Sequence, residues 1–276
     1  GIAERIYQAI EETVTDINNP KQCLSDDLDT WNGKWFPNSP GASADNNPLI
    51  EYKPKNSLHK SENMQMGVVS DKCDDAKTNL TIDWDNSPVN YTCFEPKYSY
   101  LPNTLVEPIQ ITYNIPKEYS ALHECMDTPI SYNYAIPTYG THRPLWPKYG
   151  EYKFLPIQRW LHSLEHGAIV MLYHPCANSG EVHYLKRIVQ KCLYRHIITP
   201  YTALSSKRPL ALVAWGHSLE MSKVDDSVVI NFILKRALRA PERKSDDGQF
   251  DYELLKPATQ VSDADDTDLC PNINVF

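Results

Sequence analysis

The sequence predicts an α+β fold, in which helices cover a small mixed sheet and a long loop-rich N-terminal elaboration carries disulfides. Three observations indicate this fold. In the second half of the chain, helical and strand patterns alternate, and two strand patterns follow each other without a helix between them. In the first half, proline is frequent and hydrophobic periodicity fades. Seven cysteines are scattered without a C-x-x-C pair, which favours disulfides over a zinc ribbon or a redox motif.

The first predicted element is a helix over residues 3–17, because apolar side chains recur there at steps of three and four and Asn18-Asn19-Pro20 ends the pattern. The residues that follow, up to about 119, are predicted to form a loop-rich layer held by disulfides and aromatic packing. Within this layer, polar residues alternate with β-branched or aromatic ones in three places, which predicts short strands. These strands are Met66–Val69, Leu80–Trp84 and Ile109–Ile115.

The second half is more regular. A helix is predicted from Pro156 to His166, since proline suits the first turn of a helix and Gly167 provides a stop. Two further helices show inward-facing apolar residues, and the second of them follows the capping pair Asp225-Asp226. The remaining predicted elements are the helices Glu181–Leu193 and Ser227–Leu238 and the strands Ala168–Tyr173, His196–Tyr201 and Leu210–Trp215.

Charge and hydropathy exclude several classes of protein. The formal net charge is −8, whereas a nucleic-acid-binding protein normally shows a basic face. No window approaches 18 uninterrupted apolar residues, so we expect no membrane span in this sequence. We therefore expect the partner to be a small molecule or a protein, which the sequence does not identify.

Cysteines and glycosylation sequons favour an oxidising compartment. Two sequons, at Asn79 and Asn90, lie between Cys73 and Cys93, and we expect N-glycans on both. The chain begins at Gly1 without a basic and then apolar leader, which fits a mature or trimmed ectodomain. We expect a secreted or lumenal, extracellular protein, or the ectodomain of a membrane-anchored precursor.

The string His162-Ser163-Leu164-Glu165-His166-Gly167 carries the most chemical information. On a helix, residues four apart share a face with Cβ atoms roughly 5–6 Å apart, so His162 and His166 are placed to bind one metal ion. Glu165 could be a ligand, a general base, or a carboxylate that fixes the tautomer of an imidazole. The same pattern, H-x-x-E-H, is the inverzincin signature of zinc peptidases, for which Glu242 is a conceivable further ligand. The helix here is too short for that scaffold.

Two other histidines are candidates to complete the site. His142 lies in a turn-rich loop that would present its side chain rigidly, and His123 is a plausible fourth ligand. The sequence thus predicts a metal site made of His123, His142, His162 and His166, with Glu165 as the catalytic candidate. Imidazole suits both copper and zinc, and the Irving–Williams order favours copper when both metals are available.

Two stretches of the chain match a recognisable pattern. One is T-H-R-P-L-W-P-K-Y-G-E-Y from Thr141, and the other is R-W-L-H-S-L-E-H-G-A from Arg159. They resemble a bacterial exported family known as domain of unknown function 3105. In that family a P-x-x-G-x-H loop precedes an H-[SN]-L-E-H-G helix, an apolar strand, and later a P-x-x-x-x-A-W-G strand. The corresponding pieces here are Pro137–His142, His162–Gly167, Ala168–Tyr173 and Pro209–Gly216.

The resemblance covers roughly Leu122–Ala240. It implies secretion and the position of a site, but no established reaction. The family pattern carries over to His123, His142, His162, Glu165 and His166. It departs at Lys148, where bacterial members often have a cysteine. The resemblance also favours one elaborated domain over residues 1–276, made of a loop-rich layer (1–120), a motif-bearing α+β core (121–240) and a polar tail (241–276).

Three hypotheses for the function follow. The first is a secreted metal-binding protein whose histidine cluster holds copper or zinc, with an enzymatic activity left open. The second is a non-catalytic extracellular interaction or structural module, in which the histidines and Glu165 form a buried and fully hydrogen-bonded network. The third is a zinc hydrolase that uses Glu165 as its general base.

Overall fold

The computed structural model describes residues 66–242, 244 and 246–271, all of which lie in one compact unit. The helix predicted over residues 3–17 and the first cysteine, Cys23, lie outside the described residues. Within the described residues, no helix is both long enough and apolar enough to cross a membrane. The elements are the strands β1 (Ile109–Thr112), β2 (Gly150–Tyr152), β3 (Ile169–Tyr173), β4 (His196–Pro200), β5 (Leu210–Ala214), β6 (His217–Met221) and β7 (Leu254–Pro257), and the helices α1 (Ile157–Glu165), α2 (Ser179–Cys192) and α3 (Asp226–Arg236).

The strands form one mixed sheet in the order β1-β6-β5-β3-β4-β2-β7. Strand β4 is parallel to both of its neighbours, β3 and β2, whereas the other neighbouring pairs are antiparallel. The parallel strands β3 and β4 are joined by a crossover helix, α2, because a parallel pair needs a long connection. The antiparallel strands β5 and β6 are joined by a short turn. The predicted α+β fold with a mixed sheet covered by helices is confirmed.

The two faces of the sheet bury different helices. In β3, Ile169 and Met171 point into a core that contains the apolar stripes of α2 and α3. Val170 and Leu172 point the other way, into a core that contains Trp160 and other side chains of α1. Alternation along a buried strand therefore places α1 on one face of the central sheet, and α2 and α3 on the other.

Two of the three short strands predicted before residue 119 are wrong. Met66–Val69 forms turns and loop, and Leu80–Trp84 begins with a 3₁₀ helix. Just before the second segment, the Asp75 carboxylate accepts backbone N–H groups two and three residues further on. Such local bonds compete with strand pairing, and they prevail where apolar runs are short. The third predicted strand is present as the shorter β1.

Three disulfides join distant parts of the described chain. They confirm disulfides for the six cysteines that the structure describes, and they link segments 52 to 83 residues apart in sequence. Cys73–Cys125 joins two segments that both precede α1. Cys93–Cys176 joins the residues before α1 to the segment that follows β3, and Cys192–Cys270 joins the last residue of α2 to the segment that follows β7.

Two buried arginines join residues 66–126, here called the N-terminal layer, to α1 and the loop before it. Arg159 of α1 donates to both carboxylate oxygens of Asp74, at 2.5 and 2.9 Å. Arg143 donates to both carboxylate oxygens of Asp83, at 2.9 and 2.5 Å. A buried charge is tolerated only when it is paired and hydrogen-bonded, so these bidentate pairs fix the layer over α1.

Replacing Arg159 with methionine should therefore destabilise the protein strongly. The change leaves the Asp74 carboxylate buried without its cation, and breaking a buried pair in this way costs about 3–5 kcal/mol. The free energy of unfolding, measured by chemical denaturation, should show this loss. The matched control is Lys148→Met, which breaks the exposed pair with Asp251 and should cost about 1 kcal/mol or less. Equal losses in the two variants would contradict this role of Arg159.

Candidate metal centre

Four of the predicted site residues lie close together between α1 and the loop segments that contain His123 and His142. His123, His142, His162 and Glu165, here called the ligand group, each offer one ligand atom, and these atoms lie within 4.8 Å of one another. His142 and His162 are fully buried, Glu165 is almost so, and the His123 side chain keeps 17% of its exposure. The arrangement could hold one metal ion.

Helix α1 supplies two members of the ligand group. His162 and Glu165 are three residues apart and therefore share one face of the helix. His162 Nδ1 lies 2.6 Å from the carbonyl oxygen of Arg143. Since a carbonyl only accepts, Nδ1 carries the proton and Nε2 keeps its lone pair. Among the described residues, this buried Nε2 atom has no hydrogen-bond partner.

Two loop segments supply the other members. The segments around His123 and His142 pair as a short parallel bridge, with the N–H of His142 bonded to the Leu122 carbonyl and the N–H of Glu124 bonded to the His142 carbonyl. His142 Nδ1 donates to the carbonyl of Gly140 at 2.8 Å, so its Nε2 also keeps a lone pair. Two of the imidazoles are thus fixed in the same tautomer by backbone carbonyls, which is how metal-binding histidines are commonly oriented.

The nitrogen and oxygen atoms that the ligand group turns toward one another carry lone pairs. His142 Nε2 lies 3.1 Å from Glu165 Oε2 and 3.0 Å from His123 Nε2, while His123 Nε2 lies 3.9 Å from the same carboxylate oxygen. A proton on His123 Nε2 can satisfy one of these contacts but leaves lone pairs of His142 or Glu165 facing each other. Two nitrogen ligands of a tetrahedral zinc ion lie about 3.3 Å apart, so the observed spacing fits a shared cation.

Burial favours the neutral form of two of the imidazoles, His123 and His162. Burial, and then the nearby His142, lower the pKa of His123 to about 4. Burial likewise lowers the pKa of His162 well below its usual range, and neighbouring imidazoles add to this effect. A neutral imidazole is the form that binds a metal ion, so near pH 7 the site offers lone pairs without first having to release protons from these two residues.

Arg143 organises the site without belonging to the ligand group. Its own carbonyl accepts from His162, and its guanidinium donates to the carbonyls of Glu124, at 3.1 Å, and of Cys125. These carbonyls follow His123 directly, and Cys125 is fixed further by its disulfide with Cys73. Sequence reasoning missed this role, since an arginine next to a histidine carries no signal that its guanidinium turns back into the fold.

His166, predicted as a ligand, lies beside the ligand group rather than within it. Helix α1 ends at Glu165, and His166 follows as a cap residue with φ −91° and ψ 5°. Its ring stacks on Trp146 with centroids 4.5 Å apart and lies 4.8 Å from the His162 ring. Burial, and then the charge of Lys244, lower the pKa of His166 to about 3. The structure therefore places Glu165 where the sequence predicted His166, and the predicted roles of both residues remain predictions.

The metal-free protein should lose stability as the pH falls from 6.5 to about 4. In the unfolded chain His123 and His162 take up protons near pH 6.5, whereas in the native state burial lowers the pKa of His123 to about 4 and the pKa of His162 well below its usual range. The unfolded state then binds more protons, and each such imidazole contributes a slope of up to about 1.4 kcal/mol per pH unit. Urea denaturation in the presence of a chelator measures this slope.

Substitution of His162 by glutamine should reduce the pH dependence of the free energy of unfolding by up to about 1.4 kcal/mol per pH unit. His196→Gln is the matched variant, because burial lowers the pKa of His196, which lies outside the ligand group, to about 4. It should reduce the slope to a similar extent. A free energy of unfolding that stays constant from pH 6.5 to 4 in the wild-type protein would contradict the buried neutral state of these imidazoles.

Comparison with known proteins agrees with the motifs. Residues 123–248 match the family model described as "Protein of unknown function (DUF3105)", and this segment contains the whole ligand group. A curated relative, the tumor protein p53-inducible protein 13 of Mus musculus, is 34% identical over 77 residues, which are 28% of this chain and only 20% of the relative. No solved structure matches. The segment 123–248 is thus similar to the DUF3105 family, which confirms the resemblance that the motifs predicted.

Proposed function

We propose that the protein binds one transition-metal ion, copper or zinc, through the Nε2 atoms of His123, His142 and His162 and the carboxylate of Glu165. The observation that carries this proposal is the convergence of buried lone pairs on one point. His162 Nε2 and Glu165 Oε2 are both buried, and neither has a hydrogen-bond partner in the described part of the chain. Buried polar atoms in native proteins are almost always paired, so a bound cation is the simplest partner for them.

The donor set restricts the metal. Imidazole nitrogen suits copper, zinc, iron and nickel, whereas sites for magnesium and calcium are built from oxygen atoms. Three imidazoles with one carboxylate therefore favour a first-row transition metal, and the Irving–Williams order favours copper over zinc where both are supplied. When bound, such an ion polarises an oxygen ligand or, in the case of copper, exchanges an electron.

The two alternative functions receive less support. A structural network would satisfy every imidazole by hydrogen bonds, but the buried Nε2 of His162 and both ring nitrogens of His166 lack partners among the described residues. A hydrolase that uses Glu165 as its base needs that carboxylate to be free. Here Glu165 Oε2 lies 3.1 Å from His142 Nε2, in a ligand position.

We further propose that the protein works outside the cytosol and carries N-glycans. Three disulfides within the described residues support an oxidising environment. The two sequons differ in their surroundings. Asn79 is exposed in a turn with φ 54°, whereas Asn90 is half-buried and its Oδ1 accepts from the Trp84 indole at 3.1 Å.

Replacing His142 with alanine should abolish stoichiometric metal binding. The variant loses one of four ligands, and affinity should fall on the order of 100-fold or more, because even partners outside the ligand shell are worth 10–100-fold. Elemental analysis of the purified protein, followed by competition with a chromophoric chelator, measures the effect. The control is His183→Ala on the exposed side of α2, which should keep one tightly bound ion. A wild-type protein that holds no stoichiometric metal after exposure to copper and zinc salts would contradict the proposal.

Expression through a secretory pathway should give a glycan at Asn79 in nearly every molecule and less complete modification at Asn90. The exposed turn leaves the Asn79 amide accessible, while the bond to Trp84 engages the Asn90 amide once that segment has folded. Peptide mapping by mass spectrometry before and after treatment with an N-glycosidase measures both occupancies, and Asn79→Gln and Asn90→Gln serve as reference variants. Modification at Asn90 but not at Asn79 would contradict this assignment.

A further inference from the structure

A second group of buried polar atoms without hydrogen-bond partners among the described residues lies next to the ligand group. His166 is fully buried, and neither of its ring nitrogens has a hydrogen-bond partner within the described residues. The same is true of Glu242 Oε2, although the rest of that side chain is partly exposed. A buried polar atom without a partner is costly, so the pair indicates that something else binds between them.

Glu242 is held in place opposite His166. Its backbone N–H donates to the Glu165 carbonyl at 3.1 Å, at the end of α1. Its Oε2 then lies 3.9 Å from His166 Nε2, which is too far for a hydrogen bond. Two such ligands on one tetrahedral ion lie about 3.3 Å apart, so an approach of about 0.6 Å would let both bind it. The partly exposed Glu242 side chain can make this movement.

The pair also connects the protein surface to the ligand group through neighbouring side chains. The Glu242 side chain keeps 31% of its exposure, His166 is buried behind it, and the His166 ring is followed by His162 at a centroid distance of 4.8 Å. Trp146 closes one side by stacking on His166. An ion that moves from solvent to the ligand group by this route meets the carboxylate of Glu242 first and the imidazole of His166 second.

We propose that His166 and Glu242 form a second and weaker position for a divalent transition-metal ion, through which ions exchange with the ligand group. The inference rests on the proposed function, because it assigns an entry position to that same centre. Lys244 keeps the position weak, since its Nζ lies 3.6 Å from Glu242 Oε2 and competes for the carboxylate. Two protein ligands completed by water suit transient binding better than storage.

Titration of the full chain with Zn2+, followed by native mass spectrometry and equilibrium dialysis, tests this position. The wild-type protein should bind one ion tightly and a second one weakly. Glu242→Gln should lose the weak equivalent and keep the tight one, and His166→Gln should do the same. Lys244→Gln should strengthen the weak equivalent by about three- to tenfold, because a competing positive charge is removed.

The matched control is Glu253→Gln, which removes a carboxylate that pairs with Lys153 at 3.4 Å away from the site. It should retain both equivalents. A wild-type protein that binds only one ion, or a Glu242→Gln variant that still binds two, would overturn the second position and leave a bridging water as the partner of His166. Loss of the tight equivalent in His166→Gln would also overturn it, by placing His166 in the primary centre. Absence of the tight equivalent from the wild-type protein would instead refute the proposed function, and the second position with it.

Discussion

The site depends on one electrostatic constraint: electron-rich atoms face one another in a space with little solvent. Backbone carbonyls hold the protons of His142 and His162 on Nδ1, so both Nε2 atoms point inward as acceptors toward a carboxylate. In water such atoms would be hydrated, but here burial removes that option, and it also lowers the pKa of His162. The cation that we propose would resolve this conflict, and the fold around the ligand group holds these acceptors together.

Holding them together requires forces from several parts of the chain. His162 and Glu165 come from a helix that packs on the sheet, while His123 and His142 come from loops that would otherwise be free to separate. Arg143, which follows His142 in the chain, connects these parts. Its carbonyl accepts from His162, and its guanidinium donates to the two carbonyls that follow His123. The Arg159–Asp74 pair and the Cys73–Cys125 disulfide then fasten the N-terminal layer over the helix. The N-terminal layer (66–126) is therefore part of the framework that holds the site.

Sequence patterns predicted what depends on local spacing. The three helices show an apolar stripe with helical spacing, and strands β3, β4 and β5 are apolar runs of strand length, so both kinds of element could be predicted. His162 and Glu165 lie on one helix face, as their spacing requires. Strands β2 and β7 could not be predicted, because β2 has three residues and β7 is a partly exposed strand within a polar tail that pairs through its backbone. The prediction that His166 shares a helix face with His162 fails for a local reason. The helix ends at Glu165, so the helical spacing of residues four apart does not extend to His166. The roles of Arg143 and Glu242 arise from tertiary contacts, which a single sequence does not reveal.

A crystal structure of the full chain grown with copper or zinc, with diffraction recorded on both sides of the metal's absorption edge, would show whether the ligand group holds an ion. We expect a strong anomalous peak at about 2.0–2.2 Å from the Nε2 atoms of His123, His142 and His162 and from a carboxylate oxygen of Glu165. A map without such a peak, in which these four side chains are bonded to one another or to ordered water, would contradict the proposed function.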